Sequence, residues 1–320
     1  MRYYILRRLA LTIPTLLFVS VVIFTLMRIV PGDAAMLKVF GGENAARADP
    51  AAYESARRQL GLDRSYPEQY VTWIGRMLCC LDFGQSFWTK KPVFAEVIDR
   101  FPITLELAVG TLIIALLIAL PTGVISAIRQ DSSSDYVARM IGVIGLSAPG
   151  FWIGTLLIVW PAIWWGYSAP LGYIPPHVDP WANFRQFIFP SLALGASFAA
   201  TLMRMTRSQM LEVLRQDYIR TAWSKGLRER VVVLRHGLRN ALIPVVTLVG
   251  LDFGYLLGRT VVIETVFTLP GIGTSTVHAV YMRDYPQLQG NVLFIAFAFI
   301  MINLATDIAY AWVDPRIRYA

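Results

Sequence analysis

The sequence predicts an all-α polytopic membrane protein with six transmembrane helices, cytoplasmic N- and C-termini, and an extracytoplasmic domain between the first two helices. Three observations support this fold class. Hydrophobic residues make up 56% of the chain, six apolar runs are each long enough to cross a bilayer, and basic residues lie asymmetrically around those runs. A water-soluble chain of 320 residues must keep its surface wetted and has no use for so much apolar sequence.

The six apolar runs are predicted to be helices. A helix needs about 20 residues to cross the hydrocarbon core of a bilayer. Backbone amides in lipid must be satisfied within the segment, which excludes open sheets. Pro121 and Pro149 lie inside two of the runs and are expected to kink them. The predicted spans are 9–30, 102–128, 136–165, 187–203, 241–263 and 291–312.

The basic residues set the predicted orientation. Arg2, Arg7 and Arg8 precede the first span, and 204–239 holds nine Lys or Arg against three acidic residues. Both regions are therefore expected in the cytoplasm, and six spans return the C-terminus to the same side. The loop 165–187, expected outside, has Arg185 as its basic residue. Membrane orientation thus accounts for the net charge of +8 without nucleic-acid binding.

The predicted organisation has three parts: a cytoplasmic segment with the first helix at 1–31, an extracytoplasmic domain at 32–101, and a five-helix core at 102–320. The core includes a cytoplasmic loop at 204–240. Within 32–101, the pattern predicts a short helix over 50–60 that ends at Gly61 and an amphipathic helix over 66–81. This domain either meets a solute or a delivery protein, or only stiffens the outer mouth.

The adjacent Cys79 and Cys80 lack metal-ligand spacing, and we interpret them as small apolar residues. The apolar face of the amphipathic helix comprises Tyr70, Trp73, Ile74, Met77 and Leu78.

Motifs for catalysis are missing from the sequence. A Walker-type phosphate loop needs Gly-Lys before Ser or Thr, and none of the four lysines follows a glycine. The three histidines are scattered, and patterns typical of hydrolytic nucleophiles are lacking. We therefore predict a chain that is not itself an enzyme and holds neither cofactor nor metal.

Two features of the fifth span point to packing and transport. Gly250, Gly254 and Gly258 are spaced four apart, which places them on one face where another helix can approach closely. Asp252 is the most deeply placed acid and is a candidate for the translocation pathway. Its alternative role is to pair with Arg259 or with a neighbouring helix.

The cytoplasmic loop contains a short amphipathic helix that is expected to end at Gly226. Tyr218, Ile219 and Ala222 share one face of it, and a second, basic helix is predicted over 228–240. Such an arrangement suits docking into a groove of another protein. On physical grounds it equally suits an anionic lipid surface.

The loop sequence DYIRTAWSKGL followed by LRNALIP resembles the cytoplasmic loop of binding-protein-dependent ABC importer permeases of the peptide, nickel and opine branch. Trp223 departs from the pattern, because that branch often has a basic residue there. Matching stretches occur in the same order along the chain: RLALTIPTL, FTLMRIVPGD, LGLD, QYVTW, DFGQS, RFPITLELA, ETVFTLPGIG, RDYP and DPRIRY.

This resemblance implies the type I permease fold in a bacterial inner membrane. It implies a second homologous permease subunit, two ABC ATPases at the cytoplasmic face and an external solute-binding protein as partners. Peptides are the expected solutes, with nickel chelates, opines, glutathione and sugars as alternatives; an ion-coupled secondary transporter is the alternative from another class. The implied ATPase-coupling helix comprises Asp217, Tyr218, Ile219, Arg220, Thr221, Ala222, Lys225, Gly226 and Leu227.

Overall fold

The computed structural model describes residues 2–29, 35, 50–168, 170 and 172–313, with the backbone alone for 2–6, 8, 50, 52 and 309–313. These residues form eleven helices and no strand, as the fold class predicts. The helices are α1 (Arg2–Ile29), α2 (Pro50–Gln59), α3 (Tyr66–Cys80), α4 (Val93–Ile128), α5 (Ser133–Ser147), α6 (Gly150–Trp165), α7 (Pro180–Leu214), α8 (Asp217–Ser224), α9 (Glu229–Val266), α10 (Ile272–Tyr281) and α11 (Tyr285–Val313).

Five stretches of helix in the described ranges are long and apolar enough to cross a membrane, and they match five of the predicted spans. They are Leu9–Ile29, Val93–Ile128, Pro180–Leu214, Glu229–Val266 and Tyr285–Ile308. The C-terminal residues 314–320, which include the DPRIRY stretch and are predicted to be cytoplasmic, lie outside the described residues.

The predicted third span consists of two separate helices, α5 and α6, and not of a single kinked helix. Taken together, α5 and α6 are long and apolar enough to cross a membrane, but the two helices are bent by 101° at the break between them. Ala148 at this break is extended, with φ −78° and ψ 127°. The cause is Pro149, which has no N–H to donate and disfavours helical backbone in the residue before it.

Polar side chains cap several helix starts. Ser65 and Glu68 form a reciprocal capping box at α3. The Asp179 carboxylate accepts from the backbone N–H of Trp181 at 3.0 Å and of Ala182 at 2.9 Å, which starts α7. Gly61, two residues after the last residue of α2, has φ +66°, as expected for a helix stop.

The first compact unit comprises Met1–Thr104 and Pro270–Met301. Its core contains Ile23 and Met27 of α1 together with Tyr285 and Leu288 of α11, and Trp73 of α3 packs against them. The described part of the segment 32–101 therefore packs with residues from distant parts of the chain. Its extracytoplasmic location stays a prediction.

Two expectations for α3 need correction. Leu78 is 68% exposed, so the predicted apolar face is only partly covered. Cys79 and Cys80 are not merely small apolar residues, because they form a disulfide between neighbours at the exposed end of the helix.

The second compact unit comprises Leu105–Leu269 and Ile302–Ala320. α7 lies at its centre, packed against α5, α6 and α9. Small residues allow the close approach. A Cβ atom added to Gly123 of α4 would lie 2.9 Å from the Met203 carbonyl oxygen of α7, and one added to Gly145 of α5 would lie 3.2 Å from that of Ala196. Backbone-to-backbone packing of this kind stabilises helices where lipid removes the hydrophobic driving force.

Candidate coupling site

The loop after α7 contains the short helix α8, which covers Asp217–Ser224 as the resemblance implies. Its turn ends at Gly226, where φ is +75°. The Gly226 N–H donates to the Trp223 carbonyl at 2.9 Å, and the Leu227 N–H to that of Ala222 at 3.4 Å. The prediction that Gly226 stops this helix is confirmed, since left-handed backbone there favours glycine.

One side of α8 is buried within the chain. Ile219 is fully buried and Ala222 is 8% exposed, and both pack against Val232 of α9, with Leu214 of α7 beside them. The expectation that Ile219 and Ala222 themselves contact a partner is therefore revised. These two side chains hold α8 in place.

The exposed side chains of 217–227 form a surface that we call the α8 face. It contains the aromatic side chains of Tyr218 and Trp223, each 43% exposed, and that of Leu227, 40% exposed. Thr221 and the cations Arg220 and Lys225 are exposed beside them. Arg220 contacts Asp217 at 3.5 Å, but both side chains are so exposed that the pair adds little stability.

Tyr218 connects the α8 face to the start of the following span. Its hydroxyl oxygen accepts from Asn240 Nδ2 at 2.7 Å, and the hydroxyl donates to the His236 carbonyl at 3.4 Å. The position of α8 is thus coupled to α9 by a polar contact as well as by Ile219 and Ala222.

The segment 228–240 is not the separate helix that the sequence predicts. It is the first part of α9 and is continuous with the fifth span, with a π-helical stretch at Val232–Leu238. Gly237 is buried there, and an added Cβ would lie 3.4 Å from Leu214 Cδ2 and 3.5 Å from Met210 Cε. A side chain at this position would be in ordinary van der Waals contact with α7, against which the start of α9 packs.

A buried ion pair fixes the same end of the second unit. Asp135 of α5 is fully buried and accepts from Arg207 of α7 through two bonds, Nε to Oδ1 at 2.9 Å and Nη2 to Oδ2 at 2.8 Å. Ser126 of α4 donates its hydroxyl to the same carboxylate, and the Asp131 N–H donates at 3.0 Å. A bidentate pair with these further donors has the geometry that makes a buried charge tolerable.

Sequence reasoning missed the role of Asp135, because it stands one residue before the predicted third span and resembles an ordinary loop acid. Its partner Arg207 stands among the basic residues of 204–239, where it resembles an orienting charge, so no local signal marks the pair.

The loop between α6 and α7 is connected to α4 by a second polar contact. The Tyr173 hydroxyl donates to Glu106 Oε2 at 2.8 Å. Burial, together with this hydrogen bond and the neighbouring carboxylate, raises the pKa of Tyr173 to about 12. The hydroxyl therefore stays protonated at neutral pH and remains a donor to Glu106.

Comparison with known proteins shows which family the sequence of this chain matches. The family described as "Binding-protein-dependent transport system inner membrane component" matches residues 119–319, and the corresponding N-terminal family matches residues 1–108. The chain belongs to this family. The permease is accordingly a multi-pass inner-membrane subunit of a binding-protein-dependent ABC importer.

The curated relatives extend over nearly the whole permease. It is 43% identical over 317 residues to the glutathione transport system permease protein GsiC of Pectobacterium atrosepticum and 42% identical to that of Escherichia coli K12, covering 99% of each chain in both cases. The relatives belong to the dipeptide, oligopeptide and glutathione branch, which the quoted motifs indicate.

A solved structure shares the fold. A chain of an amino acid ABC transporter crystallised with histidines superposes with a TM-score of 0.51 at 15% identity. The superposition covers 70% of the permease and 95% of that chain.

The glycines of the fifth span do not share one environment. Gly250 and Gly254 are buried, but Gly258 is exposed, and an added Cβ there would meet nothing within 4 Å. Within the described residues, therefore, no helix of the permease lies against Gly258.

Asp252 is half-buried in α9 and forms no ion pair with Arg259 among the described residues. Arg259 instead contacts Ser197 Oγ of α7 at 3.4 Å through Nη2. The charge of Arg259 nevertheless acts on the Asp252 carboxylate, so both interpretations of Asp252, as a partner of Arg259 or a neighbouring helix and as part of a pathway, stay predictions.

Proposed function

We propose that the permease forms half of the translocation pathway of an ATP-driven importer and that residues 217–227 transmit the movement of an ATPase to the spans. The observation that carries this proposal is the α8 face. Tyr218, Trp223 and Leu227 are each exposed, although Ile219 and Ala222 of the same segment are buried and anchor α8. Exposed aromatic residues on an anchored helix are the usual anchors of a protein interface.

The proposed assembly contains this permease, a second homologous permease subunit, two ABC ATPases at the cytoplasmic face and an extracytoplasmic solute-binding protein. In this arrangement both termini and α8 face the cytoplasm, the broken pair α5–α6 counts as one span, and residues 32–101 lie outside. Gly258, open on its own chain, is available to the second subunit, and Asp252 is the candidate acid along the pathway.

The proposed solutes are di- and oligopeptides. The relatives named for glutathione transport support this class, since glutathione is itself a tripeptide. Nickel chelates, opines and oligosaccharides are the alternatives within the same architecture. Uptake of labelled glutathione and of a labelled dipeptide, each competed by the other, separates these solutes.

The alternative from another class is an ion-coupled secondary transporter that uses Asp252. Such transporters place acidic residues at mid-membrane beside discontinuous helices. The two mechanisms differ in energy source. An importer requires ATP and continues when the proton gradient is collapsed, whereas a secondary transporter stops.

The coupling role is tested with Gly226→Asp in the permease reconstituted with the subunits that co-purify with it. A side chain at φ +75° strains the turn, and the new carboxylate alters the charge beside Lys225. We expect normal membrane insertion but loss of most ATP-dependent uptake, with ATP hydrolysis no longer linked to solute. The measurements are vesicle uptake and phosphate release.

The matched control is Gly166→Asp in the loop after α6. Gly166 also has positive φ, +61°, and open space around its Cβ position, so the backbone penalty is comparable. Uptake by this control should equal that of the wild type. Normal coupled uptake by the Gly226 variant would refute the assignment of 217–227.

A further inference from the structure

The first compact unit contains a basic cavity of about 660 Å³, lined by α1, α2, α3, the segment before α4 and the start of α11. Five cationic side chains line it, against one carboxylate among the described lining residues, that of Asp82. The cations are Arg28, Arg58, Arg64, Arg76 and Lys90. We call this cavity the basic pocket.

The cations of the basic pocket are not neutralised by described residues. No ion pair or side-chain hydrogen bond within the described ranges involves Arg58, Arg64 or Arg76. Arg28 donates to the neutral Gln69 Oε1 at 2.9 Å, and Lys90 donates to the Phe87 carbonyl at 2.7 Å. No carboxylate among the described residues forms an ion pair with these cations, so their charge is available to attract an anion.

Hydrogen-bond donors in the same lining also lack acceptors. Gln289 is 3% exposed, and its Nε2 has no partner among the described residues. The same holds for the buried Trp73 Nε1 and Arg28 Nε. Buried donors without acceptors are rare, and all three of these donors belong to residues that line the basic pocket.

The wall of the pocket is fixed by its own contacts. Gln69 accepts from Arg28 and donates through Nε2 to the Arg64 carbonyl at 2.9 Å. The Arg28 guanidinium lies 3.6 Å from the centroid of the Phe24 ring, and Phe24 contacts the rings of both Tyr70 and Trp73. The Arg28 and Gln69 side of the pocket is therefore held in place before a ligand binds, which favours affinity.

We propose that the basic pocket binds a small solute through its carboxylate. The volume is in the range of small-molecule sites, roughly 300 to 1,000 Å³. Arginine side chains recognise carboxylates and phosphates alike, so a phospholipid headgroup is the competing source of the anion. This inference rests on the proposed function, which puts the pocket outside, where the solute is delivered.

The test is equilibrium binding of glutathione to the full-length permease in nanodiscs of neutral phosphatidylcholine. Glutathione should bind, and its diethyl ester, which lacks both carboxylates, should not. Arg64→Gln together with Arg76→Gln should weaken binding by about tenfold or more, because charged hydrogen bonds are lost. Both side chains are exposed and outside any described bond, so these changes should not disturb folding.

A matched pair of neighbours controls for net charge. Lys90 lines the pocket, and Lys91 is exposed but does not line it. Lys90→Gln should weaken binding and Lys91→Gln should leave it unchanged. Equal effects of the two changes, equal binding of the ester, or no binding by the wild type would overturn the proposal.

A further arm separates solute from lipid. Adding phosphatidylglycerol to the nanodiscs should not displace glutathione. Retention of that lipid in native mass spectra, lost in the Arg64/Arg76 variant and accompanied by loss of glutathione binding, would assign the pocket to a headgroup and refute the solute site. Since binding needs neither ATPase nor ATP, its failure is distinguishable from failure of coupled transport.

Discussion

Breaking the ion pair between Asp135 and Arg207 is expected to destabilise the second compact unit strongly. Asp135→Asn preserves the shape of the side chain but removes its charge. The Arg207 guanidinium then loses its carboxylate, and the donors Ser126 Oγ and Asp131 N–H compete for one remaining oxygen. The perturbation thus leaves a partly buried cation without a counter-charge.

The expected loss is about 3 kcal/mol of unfolding free energy, the lower end of the range for breaking a buried pair. The lower end applies because the Arg207 side chain retains 19% exposure and recovers some hydration when the carboxylate is gone. Arg207→Lys should be intermediate, because an ammonium group keeps the charge but loses the two parallel bonds.

The assay is unfolding by dodecyl sulfate from dodecyl maltoside micelles, followed by far-ultraviolet circular dichroism. Asp135→Asn, Arg207→Gln and the double variant complete a cycle whose coupling energy should be about 2 kcal/mol. Asp217→Asn is the control, since that carboxylate is 96% exposed beside Arg220 and should leave stability unchanged. A coupling energy near zero would refute the argument that the pair stabilises the packing of α5 on α7.

Two further predictions concern packing and docking. Gly123→Ala should lower the free energy of unfolding by about 1–3 kcal/mol, because the added methyl group meets Thr206 and the Met203 carbonyl, whereas Gly258→Ala, in open space, should not. The same unfolding assay compares them, and equal losses would contradict the packing. Trp223→Ala should reduce co-purification of ATPase subunits while the variant stays folded in the same unfolding assay, because the side chain is 43% exposed. Unchanged recovery would show that Trp223 is not part of the docking surface.

Much of the fold is predictable because the bilayer imposes a simple length and hydropathy rule. Five of the six predicted spans appear as helices, although α4 and α7 extend beyond their apolar runs into polar sequence. Local backbone chemistry was similarly informative: Gly61 and Gly226 end their helices with positive φ. The proline signal at Pro149 was correctly located, but the sequence predicts only a kink there and not a bend of 101°.

The candidate site was only half predictable. Periodicity places Tyr218, Ile219 and Ala222 on one helical face, but it does not say which face meets the same chain. Ile219 and Ala222 are buried against Val232 of the same chain. Trp223, which departs from the family pattern, is exposed. Asp135 was missed because its partner Arg207 is 72 residues away in sequence, a pairing that only the tertiary fold brings together.

The π-helical stretch at Val232–Leu238 has a mechanical consequence. α9 is one rod of 38 residues that begins beside α8 and continues through the fifth span. A π-helical segment holds its backbone in less regular hydrogen bonds than the α-helix on either side, and helices bend at such places. If a load is applied at α8, as the proposed coupling requires, 232–238 is therefore a place where α9 is expected to flex.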